Sequence, residues 1–415
     1  MSISKRLVII APFWGNPEHV GCYRVDRFVR WLREKSIHIV LVRAGIRDMF
    51  QESPSLTEIT IRDPLSLYGR RTHRGGKLSG RSPNRARRFL SRLLFCPDAG
   101  VVWSMRAARH PLVLKATGHA FAVLSSSPPE SAHVGAASLA KRLGIELIVD
   151  MRDGWLDEPL KPLLQKSRFV RWREGRLERS ILQQAAGIFV TSDNWKSLLE
   201  RRLPFAKDKT TVLTNACPRI ALREKDKITE RPSFDGLVIL YAGRFTGSRN
   251  EQTVDKLLGP LAMNLPSCDI SGKVELVGRF DPEDLTQIKD WQARFEEFGW
   301  CIEAMAHVPR EQIIERLQQA DGLLLLSASY PVIPCKLFDY LVTKKPILCT
   351  TLPGSSVWKM KGKLPQLFVG DYSMPDNCRG VVNDFVFACA SGKFRYEIPT
   401  EFTEDRLKET FLSRI

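Results

Sequence analysis

Residues 334–348, PCKLFDYLVTKKPIL, are the part of this sequence whose types and spacing point most directly to chemistry. They follow a very apolar run, 322–326, and a short loop, 327–333. Pro334 suits the first turn of a helix, where its missing N–H costs nothing. The amides of Cys335, Lys336 and Leu337 are then expected as free donors at a positive helix end, which suits a diphosphate. Asp339 falls about one turn further in, where a carboxylate can accept two hydrogen bonds from a ribose. A second group is Gly243, Arg244 and Arg249. Gly243 permits a tight turn at a strand end, and the two arginines would be fixed cations for the same diphosphate. The competing reading is two solvated surface arginines. A third group, Asp150, Arg152 and Asp153, closes another predicted strand, where the arginine could instead hold the two carboxylates in a structural network.

The elements that must position these groups alternate in type. Residues 7–12 form a short apolar run of the buried parallel-strand kind, followed by a loop with Gly15 and Gly21, a helix over 23–34 and a strand over 37–42. That is a βαβ unit. Strands at 122–125, 146–149, 187–191 and 211–213 alternate with helices at 132–143, 170–185 and 194–203. The charged, aperiodic stretch 219–235 reads as a linker. A second set of strands begins at 237 and continues at 274–277, 322–326 and 346–349, and 403–415 reads as a helix. The expected fold is α/β, two Rossmann-like domains facing one another: 1–218, then 236–398, with a C-terminal helix within 399–415 free to return to the first domain.

Composition narrows the partners. The net charge of +17 is uneven, with 42 Lys/Arg against 23 Asp/Glu before residue 236 and near balance after it. The nine cysteines show no CxxC and no Cys/His cluster, which argues for reduced thiols and no metal. The first residues read as running straight into a strand rather than a signal peptide, and no apolar run approaches a membrane span. The stretch 70–92 holds nine Lys/Arg and no acid. Within it Arg85, Arg87, Arg88 and Arg92 alternate with apolar residues at helical spacing. Such a segment binds anionic lipid headgroups; a basic loop is the plainer reading, and nucleic acid is not expected without an aromatic stacking platform.

With these segments in order, the chain resembles the retaining nucleotide-sugar glycosyltransferases of the GT-B fold, in the branch that makes bacterial surface polysaccharides. YAGRF, with a basic residue five positions after the arginine, resembles the donor-phosphate motif. IPCKLFDYLVTKKPIL is similar to the donor-ribose segment. LSSSPPESAHVGAASLAKRLGIELIVDMRDGW, residues 124–155, is similar to an amino-domain segment, and RLERSILQQAAGIFVTSD, VLTNA and FCPDAGVVW fit their places. The resemblance implies transfer from a nucleotide-sugar, a UDP-sugar above all, to a lipid-linked or saccharide acceptor at the inner face of a cell membrane. It needs no metal or other cofactor. Arg244 and Arg249 would stabilise the leaving diphosphate, and Asp153 would orient the acceptor hydroxyl or the donor sugar. Gly243, Cys335, Lys336, Leu337, Asp339 and His307 would hold the donor, with His307 near the base. Gly15, Arg24, Ser127 and Arg152 would form the acceptor side; a turn glycine and a surface arginine are the plain alternatives for the first two. His133, near the start of an apolar helix, reads as a packing or capping residue.

Departures are visible too. The family usually carries two glutamates eight positions apart; Asp339 stands for the second and Pro331 for the first, which leaves the sugar open. Thr343-Lys344 replaces a usual Ala/Gly pair, and Ala216 a glycine. Two other readings of the same scaffold remain: a sugar-nucleotide epimerase, and a non-catalytic protein that binds nucleotide-sugars or anionic surfaces.

Overall fold

A computed structural model of the chain describes residues 5–16, 19, 21–65, 95–159, 167–218, 236–245, 252–392 and 396–415. It divides into two compact units, one reaching Leu213 and including Lys408–Ile415, the other Thr214–Leu407.

The first unit contains β1 (Arg6–Ile10), α1 (Gly21–Glu34), β2 (His38–Gly45), β3 (Met49–Ser53), β4 (Leu56–Arg62), α2 (Val101–Ala107), α3 (Pro111–Ala116), β5 (Ala120–Ser127), α4 (Ser131–Leu143), β6 (Glu146–Met151), α5 (Arg168–Gln184), β7 (Gly187–Val190), α6 (Asp193–Arg202) and β8 (Thr210–Val212). Its sheet has the order β3-β4-β2-β1-β5-β6-β7-β8, parallel except for the β3–β4 pair. Leu7, Val8, Ile9 and Ile10 of β1 are all fully buried. Successive strand residues point to opposite faces, so both faces of β1 are covered, and an unbroken apolar run is what such a strand requires. The edge strand β3, MFQES, is mostly exposed and polar, as an edge should be. In α1, Val25, Phe28, Val29 and Leu32 recur at helical spacing and are buried. Helix α4 ends at Gly144, whose φ of +67° supplies the left-handed stop.

The second unit contains β9 (Leu237–Gly243), α7 (Val254–Asn264), β10 (Gly272–Gly278), α8 (Pro282–Glu296), β11 (Trp300–Ala306), α9 (Arg310–Gln319), β12 (Gly322–Ser327), α10 (Lys336–Thr343), β13 (Ile347–Thr351), β14 (Leu367–Asp371) and α11 (Arg379–Ser391). Its sheet, β11-β10-β9-β12-β13-β14, is parallel throughout. Taken in chain order, that is the doubly wound 3-2-1-4-5-6 sequence. Both sheets reverse direction beside their first strand, between β1 and β5 and between β9 and β12. In open parallel sheets the crevice at such a reversal, at the strands' carboxyl ends, is where ligands bind.

The units divide a little before the boundary expected at residue 218. Cys217 donates its amide to Phe402 O at 3.2 Å, and both side chains sit in the core around Leu341 and Val357. The expected linker, 219–235, lies outside the described residues. The last helix is α12 (Glu404–Leu412), shorter than the expected 403–415. Phe411 on it stacks on Phe28 of α1 at 4.5 Å and is fully buried. Among the described residues no helix is long and apolar enough to cross a membrane.

Candidate functional site

At the end of β9 the backbone is drawn in tightly. A Cβ on Gly278 would come 1.7 Å from Gly243 O, and one on Gly243 would come 2.5 Å from Lys336 Nζ. The Gly278 position therefore requires glycine, because the atom it would meet is backbone. Lys336, in the first turn of α10, reaches back to this strand end. Its Nζ donates to Ala242 O at 3.1 Å and lies 3.9 Å from the centre of the Tyr241 ring. Tyr340, one turn further along α10, accepts from the Ala242 amide at 3.0 Å. Tyr241 Oη donates to Arg244 O at 3.0 Å, and the Tyr241 ring stacks on Phe245 at 4.7 Å. Two tyrosines and a lysine thus clamp residues 241–245, while the Arg244 side chain is exposed. Burial pushes the Lys336 ammonium down to about 7, because a cation inside protein loses its hydration. Among the described residues neither Lys336 nor Arg244 is paired with a carboxylate. Burial pushes the thiol of nearby Cys349 far up, so it supplies no counter-charge either.

The helix start departs from the sequence expectation. Cys335 is the N-cap, and Pro334 precedes it instead of opening the first turn. The Leu337 amide, expected free, donates to Pro334 O at 3.0 Å, and that of Phe338 to Cys335 O at 3.1 Å. The first turn is tightened by i→i+3 bonds, which use donors an α-helical start would leave open. Cys335 is exposed, and its Sγ accepts from Asn215 Nδ2 at 3.2 Å. Asp339 is half-buried in the first turn of α10. His307 is exposed just past β11, the edge strand of the sheet, with β10 between that strand and β9. Arg249 lies outside the described residues.

In the first unit the reversal between β1 and β5 carries a depression lined by Ala11, Phe13, Trp14, Cys22, Ser126 and Arg152, among others. It encloses about 230 Å³ of non-protein space, part of it open to solvent. Phe13 and His19 stack on one side at 4.0 Å. The Arg152 guanidinium is fixed by two carbonyls: Nε donates to Ser127 O at 2.7 Å and Nη2 to Pro128 O at 2.6 Å. Gly21 makes room for it, since a Cβ there would come 2.0 Å from Arg152 Nη1. The two carbonyl bonds tie Arg152 to the chain at the end of β5. Asp150 is taken by Arg24, whose Nη2 and Nε approach it at 2.7 and 3.0 Å, and by Ser126 Oγ at 2.7 Å. Arg24 also donates to Leu213 O at 2.8 Å and is only 3% exposed. Expected on the acceptor side, it is instead a buried tie between α1, β6 and the end of β8. Asp153 is half-buried just beyond β6.

Gly15 is exposed with a φ of +84°, a left-handed turn that favours glycine. Ser127 is buried and contributes its carbonyl to Arg152. His133 is fully buried, with Nδ1 2.8 Å from Ser125 Oγ and its ring against Trp155. Burial pushes its imidazole down to about 3, so it is a neutral packing residue at ordinary pH. Arg85, Arg87, Arg88 and Arg92 lie outside the described residues. Tyr241, Tyr340, Gly278, Phe13 and His19 were not singled out from the sequence. Their types are ordinary core and loop residues, and only the fold places them at strand ends. A Gly at the end of each of two adjacent strands was the one available signal for Gly278. Among the described residues no group of three His, Cys, Asp or Glu is placed to hold a metal ion.

Residues 22–216 match the family model of the glycosyl transferase 4-like domain. No curated protein matches the chain by sequence. Among solved structures it is similar to a glycosyltransferase from Rickettsia africae ESF-5, with 10% identity over 99% of this chain and 97% of that one and a TM-score of 0.56. It is similar to an E. coli protein described as trehalose-6-phosphate bound with UDP-2-fluoro glucose, with 10% identity over 99% and 98% and a TM-score of 0.58. A third is HepE of Anabaena in complex with UDP-glucose, with 10% identity over 98% and 99% and a TM-score of 0.54. At such identities the likeness is one of fold, and that fold is GT-B with two Rossmann-like domains.

Proposed function

We propose that this chain, a GT-B glycosyltransferase matching the glycosyl transferase 4-like domain over residues 22–216, takes a UDP-sugar as donor. It passes the sugar, with retention, to a lipid-linked or saccharide acceptor in the making of cell-surface polysaccharide. The observation that carries the donor side is the placement of Lys336 and Arg244 at the end of β9, beside Gly243, with no carboxylate among the described residues to neutralise either. Cations at the strand reversal of a parallel sheet suit the diphosphate of a nucleotide, and Asp339 suits its ribose. That HepE and the E. coli neighbour were solved with UDP or a UDP-sugar supports uracil as the base. Arg249 would add a further cation to the same diphosphate. His307 is assigned to the base side of the donor, and the Cys335 and Lys336 amides to its phosphates.

The transfer needs no protein nucleophile. The bond from the anomeric carbon to the diphosphate breaks, and the acceptor oxygen bonds to that carbon on the same face. The acceptor's hydroxyl proton passes to the leaving phosphate oxygen. The protein's part is to stabilise the leaving charge and hold the partners in line, and no metal is required for it. The depression around Phe13 and Arg152 is assigned to the acceptor, with Gly15 and Asp153 at its border. Arg24 and Ser127 shape that region from behind. The protein works at the cytoplasmic face of the cell membrane as a peripheral protein, with Arg85, Arg87, Arg88 and Arg92 facing anionic lipid.

The test is thermal stability against a panel of UDP-, GDP-, ADP- and dTDP-sugars. A UDP-sugar at a hundredfold excess over its Kd should stabilise the protein by about 2.7 kcal/mol. A response to another base would replace the donor assignment, and silence across the panel would favour a non-catalytic protein. Arg244→Ala should abolish transfer while leaving the melting temperature of the free protein unchanged.

A further inference from the structure

Helix α5, RFVRWREGRLERSILQQ, separates its charges by face. Its two acids point inward: Glu174 and Glu178 are fully buried, the first accepting from Trp155 Nε1 at 2.9 Å and the second held by Arg202. Its five arginines are left to the outer side. Arg168, Arg171, Arg176 and Arg179 are exposed and Arg173 half-exposed, and among the described residues none of the five pairs with a carboxylate. Positions 169, 172, 176 and 179 follow the spacing of one helical stripe. On that stripe Phe169 is 55% and Trp172 56% exposed, with ring centres 5.9 Å apart and planes 28° from parallel. Two large apolar rings side by side in water, ringed by unneutralised guanidinium groups, form an exposed patch of the kind that marks a contact surface.

The chemistry of the patch selects its partner. Apolar rings with arginines around them match the boundary between headgroups and acyl chains, where the rings leave water and the cations meet phosphates. A single-stranded nucleic acid would instead need open ring faces in a groove. Here the Arg176 guanidinium covers the Trp172 ring at 5.1 Å, and Arg179 covers Phe205 at 5.6 Å. We propose that the outward face of α5, with Phe169 and Trp172 as anchors and Arg168, Arg171, Arg176 and Arg179 around them, docks the protein on an anionic phospholipid surface. This rests on the reading of a peripheral membrane protein, and not on sugar transfer.

The experiment is co-sedimentation of the full chain with phosphatidylcholine vesicles, with and without phosphatidylglycerol. Wild type should sediment with the phosphatidylglycerol vesicles alone, less so as salt rises. The Phe169→Ser/Trp172→Ser variant should partition roughly tenfold more weakly, and Trp172→Phe should restore most of the loss. Replacing Arg168, Arg171 and Arg176 with Gln should remove the salt-sensitive part of binding. All these side chains are exposed, so circular dichroism and melting should match wild type. If the α5 variants sediment like wild type while Arg85→Ala/Arg87→Ala/Arg88→Ala is released, the α5 assignment falls and the peripheral reading stands. If wild type ignores both vesicles, or prefers single-stranded RNA to them, both fall.

Discussion

The two strand reversals share a topology and differ in how their charges are settled. Between β1 and β5, the polar groups answer one another. Arg24, Asp150 and Ser126 close a buried set, and Arg152 is held by the carbonyls of Ser127 and Pro128. At the end of β9, Lys336 has an aromatic ring and a carbonyl for company, and Arg244, the next residue after the strand, is exposed. The first arrangement builds a rigid wall around a depression. The second holds positive charge in place at a cost that an anion can offset. The same fold element closes its charges among themselves in one unit and leaves Lys336 and Arg244 without a carboxylate partner among the described residues in the other.

The largest test of that contrast is Arg24→Met. It leaves Asp150 as a buried, uncompensated charge and should destabilise the first unit by about 3–5 kcal/mol in denaturant unfolding. Adding Asp150→Asn to it should recover most of that loss; a double variant as weak as the single would mean the pair is not the scaffold described. In the second unit the corresponding change, Lys336→Met, should leave stability unchanged or improved. It should weaken UDP binding by about 1.5–3 kcal/mol, the worth of a hydrogen bond to a charged group, as read by calorimetry. Loss of fold with retained affinity would reverse the roles assigned to the two ends.

The pH dependence sharpens the comparison further. In the folded protein Lys336 is held down to about 7, while an unfolded lysine titrates near its ordinary 10.5. Between those values the unfolded chain binds more protons, so the lysine's contribution to stability is least favourable below about 7 and improves as pH rises toward 10.5. A bound diphosphate favours the protonated form, so nucleotide binding should take up a proton. Affinity should then fall as pH rises above about 7, and this slope should vanish in Lys336→Met. An unchanged slope in the variant would assign the titration to another group. The smallest effect is expected from Lys344→Gly. Lys344 ends α10 with a φ of +59°, in the left-handed region that favours glycine. Glycine there should add about 1 kcal/mol of stability and leave UDP affinity alone. A change in affinity would show that the end of α10 reaches the site.

Much of the architecture could be read directly. The unbroken apolar runs of β1 and β12 announce strands buried on both faces, and Val25, Phe28, Val29 and Leu32 announce the inner stripe of α1. The edge strand β3 escaped because a short strand of mostly exposed residues carries little periodic signal. At the candidate site, residue types could be placed at strand ends, but their partners did not follow from them. Arg24 reads as an acceptor-side or surface helix arginine until Asp150, 126 positions away, is brought against it. The Leu337 amide reads as free until the first turn of α10 tightens on Pro334.

The sequence by itself determined the alternation of strands and helices and the side of each sheet where the loops at the strands' carboxyl ends lie. Hydrophobic periodicity is local, and doubly wound topology puts loops at the carboxyl ends of strands. Only the tertiary structure decided which charges are neutralised and which are held open. Pairing depends on distances between residues far apart in the chain, and burial on what packs over them. Thus Lys336, an ordinary lysine by its neighbours in sequence, has its ammonium lowered to about 7 at the end of β9. Glu174 and Glu178, ordinary helix acids by spacing, are buried and leave the outer face of α5 to arginine.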